Sequence, residues 1–328
     1  MTLIKYLLKE PFFNTTRPAF LKANDTIGVM AMASCLNYDD LAAGLEMLRN
    51  EWNLTVVEGK TLQLKHHGFA GTDQERADDF QAMLNNPNIK AIFSVRGGYG
   101  SSRILDQIDF DTFLKHPKWL IGFSDITAVH SHVYNLGVES IHAIMPKLFG
   151  RVGAEEAVES LKNILFGRFQ TPYHVAPNAL NRFGNANGNL VGGNLCLLAH
   201  LLGSKSEIDT TGCILFLEDV NEYLYNIDRM MVQLKRAGKL SNLAGLVVGQ
   251  FSDSKENDRE PFGMTANEII AHHIQEYNYP VCFDFSIGHV DRNLAMPHGR
   301  RVKLTVKESG AELDLNEATA FEAFGCKV

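Results

Sequence analysis

The sequence predicts an α/β protein of two domains, with a parallel sheet in the first half and a mixed α+β arrangement in the second. The chain has 328 residues, and at roughly 150 residues per domain about two domains are expected. In the first half, continuous apolar runs alternate with helical patterns, as in parallel sheets that helices cover on both faces. The chain ends in an alternating stretch typical of a β-hairpin.

In the first half, each apolar run predicts a strand and each periodic stretch a helix. Leu41, Leu45 and Leu48 recur at helical spacing, and Thr72 with Glu75 predicts a capping box that opens a helix to residue 84. Further helices are expected over 125–136 and 155–166, each followed by a glycine. The predicted strands cover 26–33, 54–57, 89–95, 119–123 and 138–143. We therefore expect a Rossmann-like N-terminal domain over residues 1–167.

Residues 168–188 lose this periodicity and carry Pro172, Pro177 and several Asn and Gly, so we expect a linker there. The predicted C-terminal domain, 189–328, has helices at 195–202 and around Ile227–Leu234, and a capping box at Thr265 and Glu268. Its predicted strands are 213–217, 246–251 and 281–287, followed by a hairpin around residues 309–310.

The charge balance and the lengths of the apolar runs each exclude one class of partner. There are 38 Asp+Glu against 31 Lys+Arg, a net charge of −7, whereas general nucleic-acid binders carry a basic excess. No stretch approaches the ~18–20 apolar residues of a membrane span. Residues 1–13 lack the long apolar segment and cleavage site of a signal peptide. We expect a cytoplasmic protein with neither nucleic acid nor a membrane as partner.

The cysteines fit the same compartment. Their number is odd and no CxxC pair occurs, so reduced, buried thiols are expected. They are Cys35, Cys196, Cys213, Cys282 and Cys326.

Ser124 lies where a predicted strand turns into a helix, at the carboxyl edge of the sheet where α/β proteins bind ligands. A serine there can project its hydroxyl above the sheet, while the N–H of Asp125 at the helix N-terminus is suited to stabilise an oxyanion. The full G-x-S-x-G motif is absent. From this segment alone, a helix cap remains the favoured alternative for Ser124.

Three other segments follow predicted strands. The glycine turn, Arg96-Gly97-Gly98-Tyr99-Gly100, can bring backbone N–H groups close to an anion, although a plain tight turn is an equal alternative. It lacks both the dinucleotide fingerprint and the P-loop motif. Glu218 and His289 also follow strands. No HExxH motif or Cys/His cluster with zinc spacing occurs, so no metal is expected.

Several motifs occur in order along the chain: R-G-G-Y-G at 96–100, G-F-S-D-I-T at 122–127, G-G-N-L at 192–195, L-E-D-V at 217–220, N-I-D-R at 226–229 and G-H at 288–289. Together they resemble the LD-carboxypeptidase family of serine peptidases, the muramoyltetrapeptide carboxypeptidases, of which microcin C immunity peptidases are near relatives. The resemblance implies Ser124 as nucleophile, His289 as base and Glu218 as the acid that orients it, in a site between the domains. Asp219 is the rival for the acid.

The resemblance also implies that no cofactor or metal is needed, that the chain forms a homodimer, and that the substrate is a small anionic peptide. Backbone N–H groups of Gly98 and Asp125 would form the oxyanion hole. Weaker candidates for substrate binding are Arg96, Tyr99, Arg103, Asn194 and Arg292.

The activity implied is removal of the terminal D-alanine from cytoplasmic murein tetrapeptides. Two alternatives remain open: hydrolysis of a peptidyl-nucleotide amide, as in the immunity peptidases, and a non-catalytic nucleotide-binding module that uses the glycine turn. Two departures from the family pattern bear on specificity. A family-typical H-G-P-M reads His142-Ala-Ile-Met145 here, and a family-typical P-S reads Ala33-Ser34.

Overall fold

The computed structural model describes residues 14–169, 172–257 and 259–316, and its frame is two sheets of six and seven strands. The strands are β1 (Thr26–Met30), β2 (Thr55–Glu58), β3 (Ile89–Ser94), β4 (Trp119–Gly122), β5 (Ser140–His142), β6 (Tyr173–Val175), β7 (Gly184–Asn194), β8 (Ile214–Val220), β9 (Gly245–Ser252), β10 (Val281–Cys282), β11 (Met296–His298), β12 (Arg301–Lys307) and β13 (Gly310–Asp314). The α-helices are α1 (Ala42–Glu46), α2 (Asp73–Asn85), α3 (Asp111–Lys115), α4 (Thr127–Asn135), α5 (Glu155–Leu165), α6 (Leu195–His200), α7 (Leu224–Arg236) and α8 (Ala266–His273).

The first sheet has the strand order β11-β5-β4-β3-β1-β2. The strands β1 to β5 are parallel and arise from the five apolar runs, as predicted, while β11 pairs antiparallel with β5. Strands covered on both faces need apolar side chains throughout, which explains the runs of β1, β3, β4 and β5. The edge strand β2 is only partly buried. Because β3 and β4 are neighbours, the glycine turn and Ser124 emerge side by side at the same edge.

The second sheet has the order β10-β9-β8-β7-β12-β13-β6. Its first four strands are parallel and the other three pairings are antiparallel. This mixed sheet agrees with the predicted α+β half, and β12 with β13 is the predicted hairpin. The carboxyl ends of β8 and β9 lie together, which brings Glu218 to the edge where the site forms.

The predicted helix ends are present. Both capping boxes form, at the start of α2 and at the start of α8. Gly137 and Gly167, which follow α4 and α5, have φ of +81° and +70°, the left-handed conformation that ends helices. Local chemistry therefore determines where these helices start and stop.

The segment predicted as a linker, 168–188, contains strand β6 and the beginning of β7. Strand β6 has only three residues, Tyr-His-Val, and the first part of β7 is a polar, half-exposed stretch of Gly and Asn, so no apolar run marks either segment. In addition, β11 belongs to the second half of the chain but completes the first sheet. The domain boundaries at 167 and 188 remain a proposal.

Two strand boundaries differ from prediction. The run 281–287 predicts one strand, but β10 ends at Cys282, and Asp284 has a φ of +60° that interrupts extended backbone. Phe285 and Ile287 are fully buried all the same, so that apolar run reflects burial rather than a strand. Conversely, β8 runs past residue 217 to Val220, which places Glu218 inside the strand.

Among the residues that the structure describes, no helix is long and apolar enough to cross a membrane. The four cysteines in this part of the chain are free thiols; Cys213 and Cys282 are buried, whereas Cys35 and Cys196 are half-buried. Cys326 and the segment 1–13, for which no signal peptide is predicted, lie outside the described residues.

Candidate active site

Ser124 occupies a sharp turn between β4 and α4. Its φ is +63°, a left-handed conformation that costs a non-glycine residue about 1–2 kcal/mol. It begins the single 3-10 turn Ser124–Ile126, and no side chain caps this turn or α4. The capping alternative for Ser124 is therefore wrong. A strained serine at a strand-to-helix turn, with its hydroxyl uncommitted to the helix, has the geometry of a nucleophile elbow.

The glycine turn packs directly against Ser124. A Cβ added at Gly97 would lie 3.2 Å from the Ser124 Oγ, so the two turns are in contact. Within the described residues, the backbone N–H groups of Gly98 and Asp125 donate no hydrogen bond. Two uncommitted donors beside an uncommitted hydroxyl can bind an oxygen that becomes negatively charged.

His289 and Glu218 form a buried hydrogen bond. The Nδ1 atom of His289 lies 2.8 Å from Oε2 of Glu218, whose side chain is 0% exposed. A carboxylate can only accept, so Nδ1 carries the proton and Nε2 presents a lone pair. The His289 ring also contacts Phe123, with ring centroids 4.8 Å apart. The imidazole thus lies against the residue that precedes Ser124, although no hydrogen bond joins Ser124 to His289 here, and such bonds often form only in the substrate complex.

Two backbone features allow this pairing. The register between β8 and β9 shifts between Leu217 and Asp219, and such a bulge re-aims the side chain it contains, here Glu218. Gly288 has a φ of +115°, and a Cβ there would lie 3.0 Å from both Cβ and Oε2 of Glu218. Any other residue at 288 would be strained and would push the His289 loop off the carboxylate.

Asp219, the rival for the acid, is not bonded to His289. Its carboxylate accepts from the Asn194 Nδ2 at 2.8 Å and from the Cys196 N–H at 2.9 Å. Adjacent residues on a strand point to opposite faces, so Asp219 faces the start of α6 while Glu218 faces His289. Burial, followed by the charge of Glu218, raises the pKa of Asp219 to about 7.

The environment of His289 favours its protonated form. Burial lowers the pKa of the imidazole, but the hydrogen bond and the negative charge of Glu218 act in the opposite direction and prevail, so the pKa lies above the ordinary 6.5. A base of raised pKa is a stronger proton acceptor, and Glu218 stabilises the imidazolium that forms.

The three candidate arginines differ in their partners. Arg103 makes a double hydrogen bond to Asp73 at 2.6–3.0 Å, and Arg292 does the same with Glu156 at 2.6 and 2.7 Å. Arg96 donates to the Cys35 carbonyl and has no carboxylate partner among the described residues. Of the three, Arg96 therefore offers the uncompensated charge that an anionic ligand needs.

The two remaining candidates also differ. Tyr99 is 53% exposed, its ring contacts Phe69, and its side chain forms a hydrogen bond with Arg103. Both ends of the Asn194 amide are used within the fold, because Nδ2 donates to Asp219 and Oδ1 accepts from the Leu197 N–H. These bonds give Asn194 a structural role at the start of α6 and do not support its prediction as a substrate contact.

Two neighbours of the site were not among the predicted site residues. Ser34 accepts a hydrogen bond from the Tyr99 N–H at 3.2 Å; its position just beyond a predicted strand was the signal that could have identified it. The ring of Phe123 packs against His289. No local pattern indicates that contact, because the two residues are distant in sequence. No group of three or more potential metal ligands occurs within the described parts of the chain.

Two family models match the chain in order. The model of the LD-carboxypeptidase N-terminal domain matches residues 27–143, and that of the C-terminal domain matches residues 187–304. A probable murein peptide carboxypeptidase from Bacillus subtilis is 35% identical over 94% of this chain and 97% of its own length. The chain belongs to the LD-carboxypeptidase family, as its motifs predict.

Other relatives extend the similarity. The murein tetrapeptide carboxypeptidase of Pseudomonas aeruginosa is 27% identical over 85% of this chain and 92% of its own length. The crystal structure of muramoyltetrapeptide carboxypeptidase from Oxalobacter formigenes covers 89% of this chain and 99% of its own, with 27% identity and a TM-score of 0.79. The Microcin C7 self-immunity protein MccF of Escherichia coli is 26% identical over 90% of this chain and 94% of its own length.

The backbone strain at Ser124 predicts that glycine is more stable than alanine at this position, the reverse of their order inside a helix. Ser124→Gly should be more stable to unfolding than Ser124→Ala by about 1 kcal/mol, since glycine adopts φ near +63° without a Cβ penalty. Chemical denaturation of both variants measures the difference. Ser131, inside α4, is the control: there glycine should be the less stable by about 1 kcal/mol. The same order at both positions would contradict the strain.

The Glu218–His289 bond predicts a shift in titration. In Glu218→Gln, the hydrogen bond and the negative charge that raise the pKa of His289 are weakened or lost, while the burial that lowers it remains. The pKa of His289 should therefore fall below 6.5, as measured by NMR of the imidazole. Asp219→Asn should lower it less, because Asp219 is the weaker influence. A histidine that acts as a base must be neutral, so if His289 is the base, the wild type should lose activity as pH falls through the raised pKa of His289. An unchanged pKa in Glu218→Gln would rule out the coupling.

Proposed function

We propose that this member of the LD-carboxypeptidase family is a serine peptidase that removes the terminal D-alanine from cytoplasmic murein tetrapeptides, for recycling of wall peptides. The substrate class is supported by its relatives, a probable murein peptide carboxypeptidase of Bacillus subtilis and a murein tetrapeptide carboxypeptidase of Pseudomonas aeruginosa. The observation that carries the mechanism is the buried His289–Glu218 hydrogen bond of 2.8 Å beside the turn of Ser124.

The proposed chemistry proceeds through an acyl-enzyme. The Nε2 lone pair of His289 accepts the Ser124 proton, and the hydroxyl oxygen attacks the carbonyl of the terminal peptide bond. Glu218 stabilises the imidazolium, and the Gly98 and Asp125 N–H groups bind the oxyanion, a donor of this kind being worth about 3–4 kcal/mol. His289 then protonates the leaving amine of D-alanine, and water attacks the acyl-enzyme with the same base.

The proposed catalytic groups are divided between the two proposed domains. Residues 1–167 supply the nucleophile and the oxyanion donors, residues 168–188 connect, and residues 189–328 supply the acid and the base. In this arrangement neither domain is an enzyme alone, since each lacks part of the triad. We further propose a homodimer, as in the family that the motifs resemble.

Arg96 is the proposed partner of the substrate carboxylate. The terminal D-alanine is an anion beside the scissile bond, and Arg96 is part of the glycine turn that contacts Ser124. Its charge has no carboxylate partner among the described residues, whereas Arg103 and Arg292 are compensated by Asp73 and Glu156. An overall acidic chain can therefore still attract an anionic peptide at this edge.

Hydrolysis of a peptidyl-nucleotide remains the alternative within the same chemistry, since MccF is among the relatives. A nucleobase would need an aromatic platform. Both tryptophans are core residues, with Trp52 3% and Trp119 0% exposed, so neither can supply one. An exposed aromatic ring, Tyr99, does lie on the glycine turn, so the preference for a murein peptide rests on the relatives from Bacillus and Pseudomonas.

The function is tested by incubating the protein with L-Ala-γ-D-Glu-X-D-Ala, in which X is meso-diaminopimelate or lysine, and measuring free D-alanine. Release is expected from at least one peptide, and Ser124→Ala should abolish it because no nucleophile remains. A peptidyl-nucleotide amide in a parallel reaction tests the alternative. Release that survives in Ser124→Ala would overturn the mechanism, and cleavage of the nucleotide compound alone would overturn the substrate.

The role of Arg96 predicts a coupling to the substrate carboxylate. Arg96→Gln should raise KM roughly 10–100-fold, as expected for loss of a charge-assisted hydrogen bond of about 1.5–3 kcal/mol. A substrate that ends in D-alaninamide lacks the terminal carboxylate. Its KM should therefore be no higher in Arg96→Gln than in the wild type. The matched control is Arg103→Gln, because Asp73 compensates the charge of Arg103. This variant should keep KM within about threefold of the wild-type value. Equal effects of the two variants would contradict the assignment.

A further inference from the structure

The backbone of the glycine turn is held at one end and uncommitted at the other. The N–H groups of Gly97 and Gly98 donate no hydrogen bond within the described residues. The next N–H, of Tyr99, donates to Ser34 Oγ, and that of Gly100 donates to the Asp125 carboxylate at 3.3 Å. The uncommitted donors lie beside Ser124, so the position of these N–H groups depends on how firmly Gly100 is held.

The side chain of Asp125 holds Gly100 from one side. It is 1% exposed, and its two oxygens accept from the N–H groups of Gly100 and of Ser101, the latter at 2.8 Å. The Ser101 Oγ in turn donates to the Asp125 carbonyl at 2.7 Å. The backbone N–H of Asp125 is also one of the two proposed oxyanion donors. Asp125 therefore supplies one donor and anchors the glycine turn, which supplies the other donor, the N–H of Gly98.

Arg76 holds Gly100 from the other side. It extends from α2, is 0% exposed, and its Nη1 donates at 2.8 Å to the carbonyls of both Gly100 and Met32. Since Met32 follows β1, this guanidinium connects the glycine turn to the end of a neighbouring strand. The charges of Arg76 and Asp125 attract each other, and hydrogen bonds to charged groups are worth more than neutral ones.

We propose that Asp125, through its carboxylate, and Arg76 are positioning residues that clamp the N–H and C=O of Gly100 and so fix the oxyanion donors of the glycine turn against Ser124. This inference rests on the proposed function, because it assigns the uncommitted N–H groups to the oxyanion of acyl transfer. Neither side chain touches the reacting atoms. Their effect is on geometry, to which donor strength in a preorganised site is sensitive.

The clamp predicts a loss in the chemical step with little change in binding. Asp125→Asn keeps the shape but presents an NH₂ group to one of the two backbone N–H groups, so one bond is lost and the turn is released. We expect kcat for D-alanine release to fall about 100-fold, the order found for loss of an oxyanion donor. KM should stay within about threefold, and the pKa of His289 should be unchanged because the Glu218 pair is untouched.

A second readout does not depend on the substrate. A fluorophosphonate reacts with Ser124 by forming an Oγ–P bond and releasing fluoride, while His289 takes the serine proton; the phosphoryl oxygen then occupies the oxyanion site. Asp125→Asn should slow this labelling by a similar factor. Arg76→Met should do the same, and Arg76→Lys should restore part of the rate because an ammonium can still donate to the two carbonyls.

The matched control is Asp79→Asn. Asp79 is also a buried carboxylate whose oxygens accept from two successive backbone N–H groups, those of Lys60 and Thr61, but at a turn outside the site. Its variant should lose comparable stability and keep its labelling rate per folded molecule. If Asp125→Asn loses stability alone, with an unchanged labelling rate, the clamp is wrong. Rapid labelling without D-alanine release in the wild type would instead reject the proposed function and leave the clamp standing.

Discussion

The hydrogen bond between Glu218 and His289 is the interaction on which the arrangement of the site depends. A carboxylate that is 0% exposed is costly unless it is bonded, and the chain makes several local adjustments to bond it. The bulge between β8 and β9 turns Glu218 inward, and Gly288 permits the approach of the loop that carries His289. The Ser252 hydroxyl fixes that loop through the His289 carbonyl. Raised basicity of the imidazole follows from the same contact.

Much of this architecture could be predicted because it is encoded locally. The five parallel strands of the first sheet, the two capping boxes and the glycines that end helices each have a short-range cause, and all are present. The carboxyl-edge rule also identified the segments of Ser124, Glu218 and His289. These features can be predicted from the sequence because apolar runs, caps and turn glycines act within a few residues.

The parts that could not be predicted depend on distant residues. No local pattern indicates that Asp73 and Glu156 neutralise Arg103 and Arg292, since the partners are separated by 30 and 136 residues. Strand β6 is only three residues long and pairs with the distant strand β13, so its segment resembles a linker in the sequence. The Ser124 segment alone favoured a helix cap, because only the tertiary contact with the glycine turn and the φ of the residue distinguish the two roles.

The pairing of β11 with β5 has a consequence for how the protein is made. Without β11, strand β5 would be the open edge of the first sheet, with a row of unpaired N–H and C=O groups that attract other strands. During synthesis from the N-terminus, that edge stays open until residue 298 has left the ribosome. The sheet that carries Ser124, the proposed nucleophile, is thus completed only after His289, the proposed base, has been synthesised. A truncated chain that ends before β11 exposes an aggregation-prone edge.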